Sequence, residues 1–577
     1  MKFTLLLGAG CALGLLVATP TAQAFEFTTH GYYRMRFEAL QDLDTQKPND
    51  AINQGDTGDN DRFGTIAFGQ QRFRLDPILK LNDNISFQGQ LDILDNLLFG
   101  QSEIQSVGIL NPVVGTVQPA GANGAFGVTG GNAGDPLVGG GGNIVVKRLW
   151  TDVFTPIGKF RLGRQPIHWG LGIVQNSGNE QNDDFGDTAD AVTYLTAYQF
   201  KNGGTLNSGL TYTFSFENTV DPTTDGLEGE IGNNNADTHQ AILFGVYQSD
   251  TYEIGSFGGL RWRRAEDFAA TTTAIYLQDT DGDNVTEAVS APAGLDGDTA
   301  LFVIDLYGKG SWGPYTLGLE AVYIGGTVTT GIAIDAIPFT EEEQATYTNP
   351  ISSPIEMQPE SDISVFMAAL EFEGNYDFGE FKLQAGYAPG DADPLSTKIT
   401  QFGFRKDYDI AMLLFQEPLG TSPPVQVADG RTVLGHNPVS GTSLNNAAYA
   451  ALGYKHHFDI SSTIPQAKDF KVGLKGITAW APANNLDIDF TEITGVDDLP
   501  HYLNTSRWYG FEVDASAEAT FFDHLNWLVQ FGLFLPGGLY DVKTDDIDNF
   551  NTGGIVGIDF DAADPVFAAK TALFFEF

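Results

Sequence analysis

Phe567-Ala568-Ala569-Lys570-Thr571-Ala572-Leu573-Phe574-Phe575-Glu576-Phe577 closes the chain, and its alternation decides the fold. One face reads Phe567, Ala569, Thr571, Leu573, Phe575, Phe577; the other reads Ala568, Lys570, Ala572, Phe574, Glu576. Successive side chains of a strand point to opposite faces, so a period of two with the charges on one side describes a strand between an apolar and a polar medium. An edge strand of a soluble sheet would show the same period, so the rest of the chain must choose.

The dyad recurs upstream. In Thr28–Ala39 the apolar parity is Gly31, Tyr33, Met35, Phe37, Ala39 and the polar one His30, Tyr32, Arg34, Arg36, Glu38. Phe73, Leu75, Leu79 and Leu81 oppose Arg72, Arg74, Asp76 and Lys80, and Phe511, Val513, Ala515 and Ala517 oppose Glu512, Asp514, Ser516 and Glu518. Pro77 within such a run predicts a bulge, because proline cannot donate to a ladder. Around Val145–Thr155 neither parity is cleanly apolar.

Connections alternate as regularly as side chains. Short polar turns are expected at Asn82–Asn84, Pro156–Gly158, Lys201–Gly204, Ser249–Thr251, Trp312–Pro314, Tyr376–Gly379 and Phe522–His524, with a longer one near Ile460–Lys468. Between them lie long Gly- and Asp-rich stretches, among them Asn96–Asn143, Glu266–Thr299 and Pro389–Asn446. Strict segregation of short turns from long loops is the pattern of an outer-membrane β-barrel, and only a closed sheet pairs every backbone group in lipid. The expected fold is all-β, a transmembrane antiparallel barrel of about 18 strands, between about 16 and about 20, with short periplasmic turns and long extracellular loops.

Composition agrees. With 68 Gly, 42 Phe and 20 Tyr the chain is β-rich and aromatic, and a net charge of -44 argues against nucleic acid, which needs clustered Lys and Arg. After the N-terminus no apolar stretch approaches the roughly 18 residues of a spanning helix. Lys2, the apolar Leu5–Val17 and the small-residue Ala22-Gln23-Ala24 before Phe25 read as a cleaved signal peptide over residues 1–24, leaving 25–577 as the barrel. The single cysteine, Cys11, lies inside that leader, so the mature part is expected to hold no disulfide and no Cys-ligated metal.

The chain end, with its terminal aromatic and apolar residues two and four before it, resembles the recognition strand of barrels handed to the outer-membrane assembly machinery, which would make Phe577 a contact for that partner. A second resemblance rests on Gly163-Arg164-Gln165, His168-Trp169-Gly170-Leu171-Gly172 and Phe185-Gly186-Asp187-Thr188-Ala189-Asp190. Arg72-Phe73-Arg74, Gln90–Asn96, Gly386–Asp391, Phe404–Gly420 and Gly510–Asp514 add to it. Together they resemble a Gram-negative family of porin-like outer-membrane barrels related to alginate-export porins. The resemblance implies an arginine-rich lumen that passes anionic polysaccharides. It also associates an Asp-Arg pair with the position that is Asp190-Ala191 here.

Charges on strands are expected to face the lumen or the rims, because lipid holds Lys and Arg only at about 2–4 kcal/mol each at the midplane. The pore-lining candidates are Arg34, Arg36, Arg72, Arg74, Arg161, Arg164, Arg261, Arg263, Lys382 and Lys475, with Glu512 and Asp514 on a later wall. Basic and acidic walls facing each other would set up a transverse field; balanced pairs holding a plugged interior are the alternative. The acidic loops match a lipopolysaccharide surface bridged by divalent cations. Asp279, Asp281 and Asp283 with Glu287 resemble the first half of a Ca²⁺ loop, yet the sixth position is Asn284 and the twelfth Ser290. The stretch Asn176–Asp190 could fold inward as a constriction or hold Ca²⁺. No cofactor is otherwise expected. Among the 8 histidines none shows the spacing of a lipid-facing Ser-His pair, and Asp523-His524 falls in a periplasmic turn, so an enzyme is not expected. Two functions stay open: a passive channel for polar or anionic solutes, including anionic saccharides, and a non-conducting surface barrel whose loops bind partners.

Overall fold

The computed structural model describes residues 25–43, 45, 65–98, 144–201, 203–216, 238–263, 299–328, 361–392, 398–420, 443–483, 506–540 and 563–577, with short strand pieces between some of them. In chain order the barrel strands are β1 Glu26–Gln41, β2 Thr65–Asn82, β3 Ile85–Leu98, β4 Ile144–Thr155, β5 Gly158–Pro166 and β6 Thr188–Gln199. Next come β7 Thr205–Phe216, β8 Thr238–Gln248, β9 Tyr252–Arg263, β10 Thr299–Trp312, β11 Tyr315–Val328 and β12 Ser361–Tyr376. The last third is β13 Gly379–Ala388, β14 Ala447–Phe458, β15 Ala467–Trp480, β16 Trp508–Phe521, β17 Leu525–Pro536 and β18 Val566–Glu576. Each pairs antiparallel with its chain neighbours, and β18 pairs with β1. The fold is therefore a closed barrel of 18 strands with no exposed edge. One two-residue piece, Lys398–Ile399, joins the sheet in parallel beside β12.

The side-chain alternation sorts the two media as the period of two requires. Leu243, Leu260, Leu452 and Leu474 stand outward and 60% exposed or more, a hydrocarbon-facing belt. Aromatic rings flank it at both ends. Tyr198 packs on Phe200 and Trp312 on Tyr315 toward the short turns, while Tyr212, Phe214, His239 and Trp262 cluster toward the long loops. A belt between two aromatic girdles is what an outer-membrane barrel presents to lipid. At the closure, Phe577 exchanges backbone hydrogen bonds with Gly31 and stacks on Phe73 at 5.5 Å.

Two irregularities move charges inward. At Lys147 the β3–β4 register slips, Gln90 facing Arg148 while Leu91 faces Val146. Both Lys147 and Arg148 then point inside, 5% and 1% exposed, which explains why neither parity of this stretch is cleanly apolar. The second bulge lies on β3 at Leu94 and Asn96, both at positive φ (56° and 54°), and brings Asp92 and Asp95 to one face. Pro77 makes no bulge. Its neighbours Leu75 and Ile78 keep one register against Leu91 and Gln88, so the missing donor removes a ladder bond and leaves the pairing intact.

The interior is filled. Residues 167–187, between β5 and β6, and 400–420, between β13 and β14, turn into the barrel. Ile173, Phe404, Ile410, Leu413, Leu414, Phe415 and Leu419 form a buried cluster with inward wall residues such as Met367, Tyr449, Ile477 and Phe534. Trp169 makes a second, smaller cluster with Ile242 and Phe257. Residues 1–24, expected to be a leader, lie outside the described residues, as do Asp279, Asp281 and Asp283; of Glu287 only the backbone is described.

Candidate functional site: a charged lumen behind two inward segments

The wall of β1–β4 carries a block of arginines, and the segment 177–187 lies on top of it. Arg34 donates to Asp184 and to Asn96, both at 2.5 Å, and to the carbonyl of Gln181 at 3.0 Å. Arg36 reaches the same Asp184 at 2.7 Å and Glu38 at 2.6 Å. Arg72 pairs with Asp95 and donates to the Asp183 carbonyl at 2.6 Å. Arg74 grips Asp92 with two nitrogens, at 2.6 and 2.8 Å, and Arg148 donates to Asn179 at 2.6 Å and to the Ser177 carbonyl. Arg34 and Arg72 are 0% exposed. They face the interior, yet beneath the segment, and act as its anchors instead of offering free charge to a solute. Such charge-assisted, many-donor contacts are the strong kind.

Carboxylates hold the same segments from the other side by accepting from consecutive backbone amides. Asp407 accepts from the amides of Asp184 (3.1 Å), Phe185 (3.1 Å) and Gly186 (2.6 Å), joining one inward segment to the other. Gly186 sits at φ +86°, and a Cβ there would lie 2.5 Å from the Ser177 carbonyl oxygen, so the nest requires glycine. Arg405 pairs with Asp187, and Lys406 stands 4.7 Å over the ring of Phe185. On β16, Glu512 accepts from Met412 (2.9 Å), Leu413 (2.8 Å) and Leu414 (2.7 Å). Glu320 of β11 accepts from Leu171, and Asp305 of β10 from the Trp169 indole at 2.9 Å.

Between these segments and the wall of β12–β18 and β1 lies a cavity of about 850 Å³. Lys382, Lys455, Lys475, Lys570 and Arg36 line it from the wall, and Asp184, Asp407, Asp409, Lys406 and Glu417 from the segments. Most of its charges are matched: Lys382 with Glu371 at 2.7 Å and Glu373 at 3.0 Å, and Lys455 with Glu518 at 2.6 Å. The lining is thus mixed, and the arginine-rich surface expected of the lumen is largely covered.

The sequence candidates separate accordingly. Arg36, Lys382, Lys475 and Asp514 line the cavity. Glu512, 0% exposed, lies under residues 412–414, so it holds a segment and lines no pore. Arg161 faces inward in a two-pronged pair with Asp152, at 2.7 and 2.8 Å, over Trp150. Arg261 and Arg263 share the inward parity of Phe257 near the long-loop end of β9. Arg164 is misplaced by the pore-lining expectation. It pairs in register with outward Leu149 on one side and Asp190 on the other, so it lies on the outer face, bound to Asp190 at 2.7 and 2.9 Å. Lipid-facing charge is tolerated there because the pair is complete and sits at the strand ends. Of the Asn176–Asp190 stretch, residues up to Asp187 fold inward, with Asp184 and Asp187 engaged by arginine, while Asp190 lies on the outer face with Arg164. Among the described residues no three acidic or histidine side chains are grouped to hold a metal ion. The inward role of 400–420 was not legible from spacing; its one signal is an acidic-apolar composition unlike the Gly-rich loops.

Burial, with Asp407 beside it, pushes the Asp183 carboxyl on the inward segment up to about 8. A raised docked-state value means the docked segment favours neutral Asp183, so docking weakens as pH rises from the ordinary carboxylate range up to about 8 and changes no further above it. Asp183→Asn should quieten current fluctuations of the barrel at about pH 9, do so less at about pH 6, and change little only at about pH 3, below the ordinary carboxylate range. Equal noise in both proteins at the higher pH would contradict this.

No protein-family model and no curated protein matches the chain. Among solved structures, OccK9 (OpdG) of Pseudomonas aeruginosa is 9% identical, covering 96% of this chain and 98% of that one, with a TM-score of 0.41. A BenF-like porin from Pseudomonas fluorescens Pf-5 is 9% identical over 96% and 98%, at 0.42. An anion-selective porin from Comamonas acidovorans is 12% identical over 96% and 100%, at 0.33.

Proposed function

We propose that this barrel is a passive outer-membrane channel for small polar solutes, with two inward segments narrowing its path. The observation that carries this is the sorting of chemistry across the wall. The outer face is aliphatic and aromatic, while the inner face keeps a charged cavity of about 850 Å³ bounded by segments docked through buried ion pairs and amide–carboxylate bonds as well as through an apolar cluster. A barrel built only to display loops could fill its lumen with apolar side chains and avoid the cost of enclosing ions. The polar part of the docking, by contrast, suits a wet route and segments able to shift. The mixed lining does not single out anions. Passage of anionic saccharides, as the family resemblance implies, would draw on Arg36 and the wall lysines alone.

The test is planar-bilayer recording of refolded residues 25–577, with reversal potentials in a salt gradient. Discrete openings of small conductance for a barrel of this strand number are expected, with weak ion preference. Strong anion preference would restore the basic-path idea. Silence from barrels shown to be folded by heat-modifiable migration would mean a plugged, surface-displaying protein, with the long loops as its working part.

A further inference from the structure

Strand pairing gives the cavity a recessed polar floor. Across β14 to β18 one row reads Gly453, Lys475, Asp514, Gly532, Ala568, and the next reads Lys455, Gly473, Ser516, Gln530, Lys570. Gly453, Gly473, Ser516 and Ala568 bring the wall back almost to its backbone between the long polar side chains, while at Gly532 the space is taken by Met412 and Leu413 of the inward segment. Inward positions of a filled barrel would carry bulk there.

Two kinds of uncommitted charge meet over this floor. On the wall, Lys475 makes no ion pair within 4.0 Å among the described residues, and Lys570 reaches only Glu38, at 3.9 Å. On the inward segment, among the described residues, Asp409 accepts a single hydrogen bond, from Gln416 at 2.6 Å, and the Glu417 side chain lines the cavity without an ion pair; burial raises both carboxyls, to about 7 and about 8, so a cation beside them would favour their ionised forms. Asp409 lies within the field of both Lys475 and Lys570. Asp514, in register with Lys475 on the floor, accepts from the Met412 amide at 3.2 Å and adds a carboxylate beside the lysines that would also repel a lone anion; the other charges of the cavity are mostly taken up by neighbours, as described above.

A simple anion on this floor would satisfy the lysines and be repelled by Asp409 and Glu417; a simple cation would meet the reverse. A solute with both a carboxylate and an ammonium satisfies each side. We propose that the recess is a binding site for zwitterionic solutes, an amino acid or short peptide, with its carboxylate at Lys475 and Lys570 and its ammonium at Asp409 and Glu417. The volume suits such ligands, falling within the range of small-molecule sites. Gln530 and Ser516 are placed to hydrogen-bond a peptide group between the charged ends. This assignment rests on the cavity being the solute path.

Calorimetry on the detergent-solubilised barrel, paired with current-blockade measurements in bilayers, tests it. The probes are glycylglycine, glycolate as the lone anion and ethanolammonium as the lone cation. Glycylglycine should bind about tenfold more tightly than either single-charge probe. Lys475→Gln and Asp409→Asn should each bring it down to their level, and Asp409→Asn should leave glycolate binding unweakened. Glycolate binding as tight as glycylglycine, indifferent to Asp409→Asn, would overturn the assignment in favour of an anion site. So would no saturable glycylglycine binding to a folded, conducting barrel. If bilayers stay silent while calorimetry shows the two-ended dependence, the channel reading fails and the binding site stands.

Discussion

Replacing Glu512 by alanine is expected to raise single-channel conductance several-fold. The carboxylate of Glu512 is fully buried and takes the amides of Met412, Leu413 and Leu414. Without it the amides of Leu413 and Leu414 lose their acceptor while Met412 keeps Asp514 at 3.2 Å, and each buried orphan costs about 1–3 kcal/mol. The apolar contacts of Leu413, Leu414 and Phe415 with Ile477, Tyr509 and Phe534 oppose release, so the segment should sample docked and free states instead of leaving for good. Current traces should then show long open periods of larger conductance. Glu512→Gln keeps an acceptor oxygen and should lie between the two. The β16 strand itself is little touched, since its ladder to β15 and β17 does not use this side chain. Unchanged conductance in a folded Glu512→Ala barrel would show that 400–420 does not narrow the path.

Neutralising Arg34 and Arg72 together, as methionines, should cost stability and leave ion preference nearly where it was. Both guanidinium groups are enclosed, with Asp184, Asp95 and Asn96 as partners. Removing one side of a buried ion pair strands the other and typically costs about 3–5 kcal/mol. The double variant should therefore refold in lower yield, lose its compact migration at lower temperature, and switch conductance more often as residues 180–186 detach. Reversal potentials should shift less than they do for Lys475→Gln, whose charge lines the cavity and makes no ion pair within 4.0 Å among the described residues. A large loss of anion preference with unchanged thermal stability would mean that the arginines are open to the lumen after all.

The two variants also mark the limit of what a period of two conveys. It tells which parity faces inward, and for Arg34, Arg36, Arg72, Arg74, Glu512 and Asp514 that parity is right. It cannot tell whether an inward side chain meets water or another piece of the chain. Arg72 and Lys382 look alike as strand cations; one lies under Asp183 and the other lines the cavity beside Glu371. Arg164 lies three residues from inward Arg161 on one unbroken strand, so its parity is opposite and a charge expected inside ends outside. Lys147 shows the second limit, a slip of one residue turning two adjacent cations to one face.

By itself the sequence determined the barrel: alternation makes each strand, the short-turn and long-loop rhythm makes the strands antiparallel neighbours, and lipid requires that such a sheet close. These are local or nearest-neighbour properties, carried within a dozen residues or so. The occupied lumen was decided only by tertiary structure. Asp407 meets the Gly186 amide across 221 residues, Arg34 meets Asp184 across 150, and Glu512 meets Leu414 across 98. Buried charge has to find compensating partners wherever closure places them, and no periodicity along the chain records where that is.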